Sequence, residues 1–109
     1  MKRGEIWTIA GGRDYAGKPR PAIIVQSDKF DATQSIVVCP LTRTAIDAEP
    51  ARLALDPSQA NGLAVRSYVM VDKITSLPKT KVRRQIGRLD ARDVSLLDEH
   101  IAIFLGLAV

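Results

Sequence analysis

Cysteine and histidine are nearly absent from this chain of 109 residues, which holds one of each, Cys39 and His100. A single thiol excludes an internal disulfide and reads as a small buried residue in a reducing compartment. One histidine and one cysteine, far apart in sequence, supply no ligand cluster, so no metal site is expected. A Ser-His-Asp site would have to use His100, and no nucleophile motif accompanies it. On the terminal helix, flanking its apolar face, His100 reads as a surface or packing residue. Gly11-Gly12 lacks the spacing and the following Lys-Ser/Thr of a phosphate-binding P-loop. Long apolar stretches are missing too. The runs are about four residues, against the roughly 20 that cross a bilayer. No membrane span or leader is expected, and the chain reads as intracellular, in the cytoplasm. Repeats, low-complexity tracts and linkers are also lacking, so residues 1–109 read as one domain.

What is present is a foldable, mildly basic chain. Hydrophobic residues make up 46% and charged residues 26%, a balance that buries a core instead of staying disordered. Sixteen Lys and Arg against twelve Asp and Glu give a net charge of +4. That excess suits a polyanionic partner, and on charge alone a merely basic soluble protein fits equally well.

The apolar pattern predicts many short strands and then one helix. Glu5–Ile9 alternates, with Ile6 and Thr8 on one face and Trp7 and Ile9 on the other. Ala10 to Pro19, rich in glycine, reads as a loop. Ala22–Val25 and Ile36–Val38 are apolar runs separated by polar residues. Arg52–Leu55 reads as a fourth strand, and Asn61-Gly62 closes a turn. Ser67–Ile74 and Gln85–Leu89 read as further strands divided by Pro78, with the basic run Lys79–Arg84 as a solvated turn. Asp90 is a good N-cap. After it, Val94, Leu97, Ile101, Phe104 and Leu105 share one helix face, and Gly106 can end the helix. Leu96, Ile103 and Leu107 form a second stripe that suggests a subunit contact. The pattern predicts a mainly β fold, a small twisted barrel or half-barrel of antiparallel strands with a helix over one opening.

Chemistry is concentrated at two positions. If Ala22–Val25 and Ile36–Val38 pair as an antiparallel hairpin, its midpoint falls near Asp31. Arg20 and Thr42 are then equidistant from it, since 31 − 20 and 42 − 31 are both 11. The start of one strand and the end of the next meet at one sheet end. A guanidinium beside a hydroxyl makes a small phosphate site. RNA cleavage suits such a site and needs no cofactor, because the substrate carries its own nucleophile, the 2′-hydroxyl. The protein must align that hydroxyl and stabilise charge on the phosphate oxygens.

Five segments resemble, in order, the MazF/PemK-type toxins of bacterial toxin–antitoxin pairs. They are Arg3-Gly4-Glu5-Ile6-Trp7; Gly17-Lys18-Pro19-Arg20-Pro21; Cys39-Pro40-Leu41-Thr42; Ser67 through Asp72-Lys73-Ile74; and Ile86-Gly87-Arg88-Leu89. The resemblance implies an SH3-like barrel with a C-terminal helix, assembled as a homodimer. It implies metal-independent cleavage of single-stranded RNA at a short sequence, leaving 2′,3′-cyclic phosphate and 5′-hydroxyl ends. The family's catalytic arginine and threonine fall on Arg20 and Thr42. An arginine stays protonated and is a poor base, so Arg20 is read as phosphate clamp, with proton donation to the leaving oxygen as its second available role. The implied partner is a cognate antitoxin that binds through a disordered, acidic C-terminal segment. Lys18, Arg43, Lys73 and Arg88 adjoin the matching motifs and are candidates for the RNA backbone, and Tyr15 is a candidate for base stacking.

Two other classes compete. A gyrase-binding toxin of the CcdB type shares the barrel, but that reading expects a C-terminal Trp-Gly-Ile-type tail. This chain ends Gly106-Leu107-Ala108-Val109. A non-catalytic nucleic-acid-binding module would keep the basic charge and be indifferent to Thr42→Ala.

Overall fold

Strand after strand forms where the apolar runs lie, and the period changes once, at the terminal helix. The computed structural model describes residues 1–10, 18–48 and 50–109. The strands are β1 (Glu5–Ile9), β2 (Arg20–Ile24), β3 (Ser35–Thr42), β4 (Arg52–Leu55), β5 (Ser67–Met70), β6 (Thr75–Pro78) and β7 (Val82–Arg88). The helix α1 spans Ala91–Phe104. The sheet is antiparallel in the order β4-β5-β3-β2-β1-β7, with β6 paired to β3. The described strands therefore leave the sheet open between β4 and β7, the half-barrel form.

β3 organises this sheet because its eight residues serve three neighbours. Its first half pairs with β6, its middle with β2, and Leu41 and Thr42 with β5. β2 and β3 are covered on both faces, which is why their sequences run apolar without strict alternation. The larger core cluster includes Ile6, Ile23, Cys39, Leu41, Val69 and Leu97 and lies under α1. The smaller one holds Ile9, Ala22, Ile24, Ile36 and Val38, with Trp7, Leu77 and Val82 packed against it. Burial pushes the Cys39 thiol up to about 12, so it stays a neutral core residue.

α1 starts where the sequence indicates. The Asp90 side chain accepts from the Asp93 N–H at 2.8 Å, and Gly106 follows the helix at φ +78°, a left-handed conformation suited to glycine. Leu97 is buried, and Val94 and Ile101 pack beside it. Three expectations are corrected here. Leu96 also packs on this core, not on an opposite stripe. Phe104 and Leu105 are exposed, since the last turn runs past the sheet, and they join exposed Ile103 and Leu107. The strand expected over Ser67–Ile74 ends at Met70. A 3-10 turn, Val71–Lys73, separates it from β6, whose pairing with distant β3 no local pattern announces.

Candidate active site

The β2–β3 register is Ala22↔Pro40, Ile23↔Cys39 and Ile24↔Val38. Each pair sums to 62, so continuing the ladder brings Arg20 opposite Thr42, as the hairpin symmetry predicts. Both line one cavity of about 620 Å³ at this sheet end. Arg20 is the first residue of β2 and Thr42 the last of β3. Pro19 and Pro21 flank the arginine and limit its backbone freedom. Thr42 Oγ1 accepts the Thr44 N–H at 3.2 Å. That bond fixes the hydroxyl and leaves its proton to be donated.

The opposite wall comes from the turn after β4. Asn61 is buried, and its side chain ties the turn together. Its Oδ1 accepts the Ser58 N–H at 2.9 Å and the Leu63 N–H at 3.0 Å, and its Nδ2 donates to the Asp56 carbonyl at 2.9 Å. Gly62 sits at φ +68°, and a Cβ there would lie 2.0 Å from the Ile86 carbonyl oxygen. The turn is thus shut directly on β7 and presents Leu63, Ala64 and Val65 to the cavity. Ser67, Leu41 and Ile86 complete this less charged side.

The other side is cationic. Lys18, Arg20, Arg43 and Arg84 line the cavity, and no Asp or Glu does so among the described residues. Lys18 and Arg43 therefore join the Arg20–Thr42 pair. Lys73 does not, because it sits on the 3-10 turn that packs against α1. Arg88 does not either. It lies opposite Glu5 on β1. Burial pushes the Glu5 carboxyl up, yet the Lys2 N–H, the Trp7 indole, the amino terminus and Arg88 together hold it below its ordinary value. Adjacency to a motif placed these two residues near the site in sequence but not in space. Tyr15 lies outside the described residues.

Arg84 was missed. Its run Lys79–Arg84 reads as a turn, whereas Val82–Arg88 is a strand. The β1–β7 register passes from Trp7↔Gln85 to Ile9↔Val82. Three steps on β7 thus oppose two on β1, a bulge of one extra residue. Hence Val82 packs on the smaller cluster while Ile86 packs on the larger. Arg84, between them, faces the cavity.

A profile of the PemK-like, MazF-like toxins of type II toxin–antitoxin systems matches residues 2–105. A probable endoribonuclease MazF of Mycolicibacterium smegmatis is 42% identical over 108 residues, 99% of each chain. A mycobacterial endoribonuclease solved in complex with its cognate antitoxin superposes with a TM-score of 0.82 at 24% identity. The match covers 100% of this chain and 98% of that one. The Mycobacterium tuberculosis toxin MazF-mt6 gives 0.80 at 26% identity, covering 96% and 99%. With its profile matched almost from end to end, this chain belongs to the PemK-like, MazF-like toxin family of type II toxin–antitoxin systems.

Proposed function

We propose that this chain is the toxin of a type II toxin–antitoxin pair and acts as an endoribonuclease on single-stranded RNA in the cytoplasm. The observation that carries the chemistry is Arg20 and Thr42 on one cavity with a cationic side. The endoribonuclease relative at 42% identity supports the same reading.

The reaction is transesterification within the RNA. The 2′-hydroxyl gives up its proton to water as its oxygen attacks the adjacent phosphorus, the bond from phosphorus to the 5′-oxygen breaks, and that oxygen takes a proton. The products are a 2′,3′-cyclic phosphate and a 5′-hydroxyl. Arg20 holds the phosphate bidentately and stabilises the charge that grows on its oxygens. It also gives a proton to the departing 5′-oxygen and regains one from solvent. Thr42 donates its hydroxyl proton to a non-bridging oxygen. Since the nucleophile belongs to the substrate, neither step calls for a metal or cofactor. Lys18 and Arg43 hold flanking backbone. The partner is an antitoxin whose disordered acidic segment neutralises this basic surface, and the toxin works as a homodimer.

The test is digestion of a long single-stranded RNA in excess EDTA, with 5′ ends mapped. Cuts at one recurring short sequence are expected. Arg20→Ala and Thr42→Ala should each slow cleavage by at least about tenfold, roughly 1.4 kcal/mol of transition-state stabilisation, while remaining folded. Wild-type rates in both folded variants would overturn the assignment, and an RNA left intact by the wild-type chain would overturn the activity.

A further inference from the structure

Arg84 is a cation that the reaction above does not use. At the sheet end the strands run β3, β2, β1, β7. They carry Thr42, Arg20, Thr8 and Arg84 in that order, all lining the cavity. Neighbouring strands are about 4.8 Å apart, so the backbones carrying Arg20 and Arg84 are separated by roughly 10 Å, on the side of Arg20 away from Thr42. The β7 bulge aims Arg84 inward, and bulges beside binding sites often re-aim a side chain in this way. Thr8 supports the bulge. Its Oγ1 accepts the Arg84 N–H at 3.2 Å and lies 3.5 Å from the Arg84 carbonyl oxygen. The backbone groups that the extra residue takes out of the ladder therefore have a partner.

We infer that Arg84 binds a second RNA phosphate, flanking the one held by Arg20, so that the RNA crosses the sheet end from β3 toward β7. This rests on the ribonuclease reading of the same cavity. Arg84 contributes to ground-state binding and leaves the chemical step and the cleaved sequence unchanged, because a phosphate contact carries no base information. Thr8 is its positioning residue.

Binding of the full chain to a single-stranded RNA oligonucleotide with every 2′-hydroxyl methylated, which blocks the nucleophile at any site, tests this without relying on cleavage. Arg84→Ala should weaken binding about tenfold and reduce the salt dependence, the slope of log affinity against log salt, by about 0.7, one phosphate contact on a single strand. Arg84→Lys keeps the charge and should keep the wild-type slope. In cleavage, Arg84→Ala should raise KM with kcat held within about twofold. Thr8→Val should raise KM and be rescued by Thr8→Ser, which retains the hydroxyl. An unchanged affinity and salt slope in folded Arg84→Ala, or a fall in kcat alone, overturns the inference. A wild-type chain that binds the oligonucleotide but cuts no RNA refutes the proposed function, while the slope still decides Arg84.

Discussion

The cationic side chains of the α1 side and of the cavity side are treated in opposite ways. Near α1, Arg52 is buried and its Nε and Nη2 meet both oxygens of Asp72 at 2.9 and 3.1 Å. Arg3 pairs with Asp98 at 2.7 Å and donates from Nε to the Val25 carbonyl at 2.9 Å. His100 Nδ1 lies 3.0 Å from the Pro50 carbonyl oxygen, joining α1 to the segment before β4. At the cavity, no ion pair links Lys18, Arg43 or Arg84 to a carboxylate among the described residues. Arg3 and Arg52 are consumed in holding elements together, whereas Lys18, Arg43 and Arg84 remain available to a polyanion. The net charge of +4 does not reveal that division.

Removing the buried partner tests the contrast most severely. Arg52→Ala strands Asp72 beside the 3-10 turn and should cost about 3 kcal/mol of stability, read by urea unfolding. Cleavage per folded molecule should be unchanged. A loss of activity without a loss of stability would erase the distinction between the two sides. Acid should act on the same pair. The Arg52 guanidinium holds the Asp72 carboxyl below its ordinary value near 3.8. Its contribution is therefore complete above that value and lost as the pH falls through the lower native one. Thermal scans at descending pH should show wild type losing more stability below about pH 4 than Arg52→Ala does.

Arg43→Ala should show the converse pattern, with stability within about 0.5 kcal/mol of wild type and a measurable loss of affinity for uncleavable RNA. The smallest effect is expected at Asp98→Asn. The Arg3–Asp98 pair is half exposed, so its removal should cost less than about 1 kcal/mol and less still in high salt. A cost equal to that of Arg52→Ala would show that burial is not what separates the two ion pairs.

The parts of this molecule that were legible in the sequence are those set by short-range pairing. Arg20 and Thr42 could be brought together because one polar connection joins β2 to β3 and the register is symmetric about Asp31. The Asp90 cap and the Leu97 face of α1 follow from the helical period alone. What stayed hidden depends on partners far along the chain. β6 needs β3, and Arg84 needs a bulge against β1 that no composition announces. Conversely, Lys73 and Arg88 sit beside matching motifs, but the 3-10 turn and the far end of β7 carry them away from the cavity.

The bulge in β7 has a consequence for how such a chain can diverge. β7 ends the strand order, and an outer strand tolerates insertions and deletions better than an inner one. Deleting Arg83 or Arg84 would restore two-for-two pairing with β1 there and leave a single arginine opposite Thr8, on the cavity side and without the extra residue beside it. The number of arginines at the cavity edge and their aim would then change through chain length alone, with Arg20 and Thr42 unaltered. Among relatives, gaps at this strand would be as informative as substitutions in the cavity.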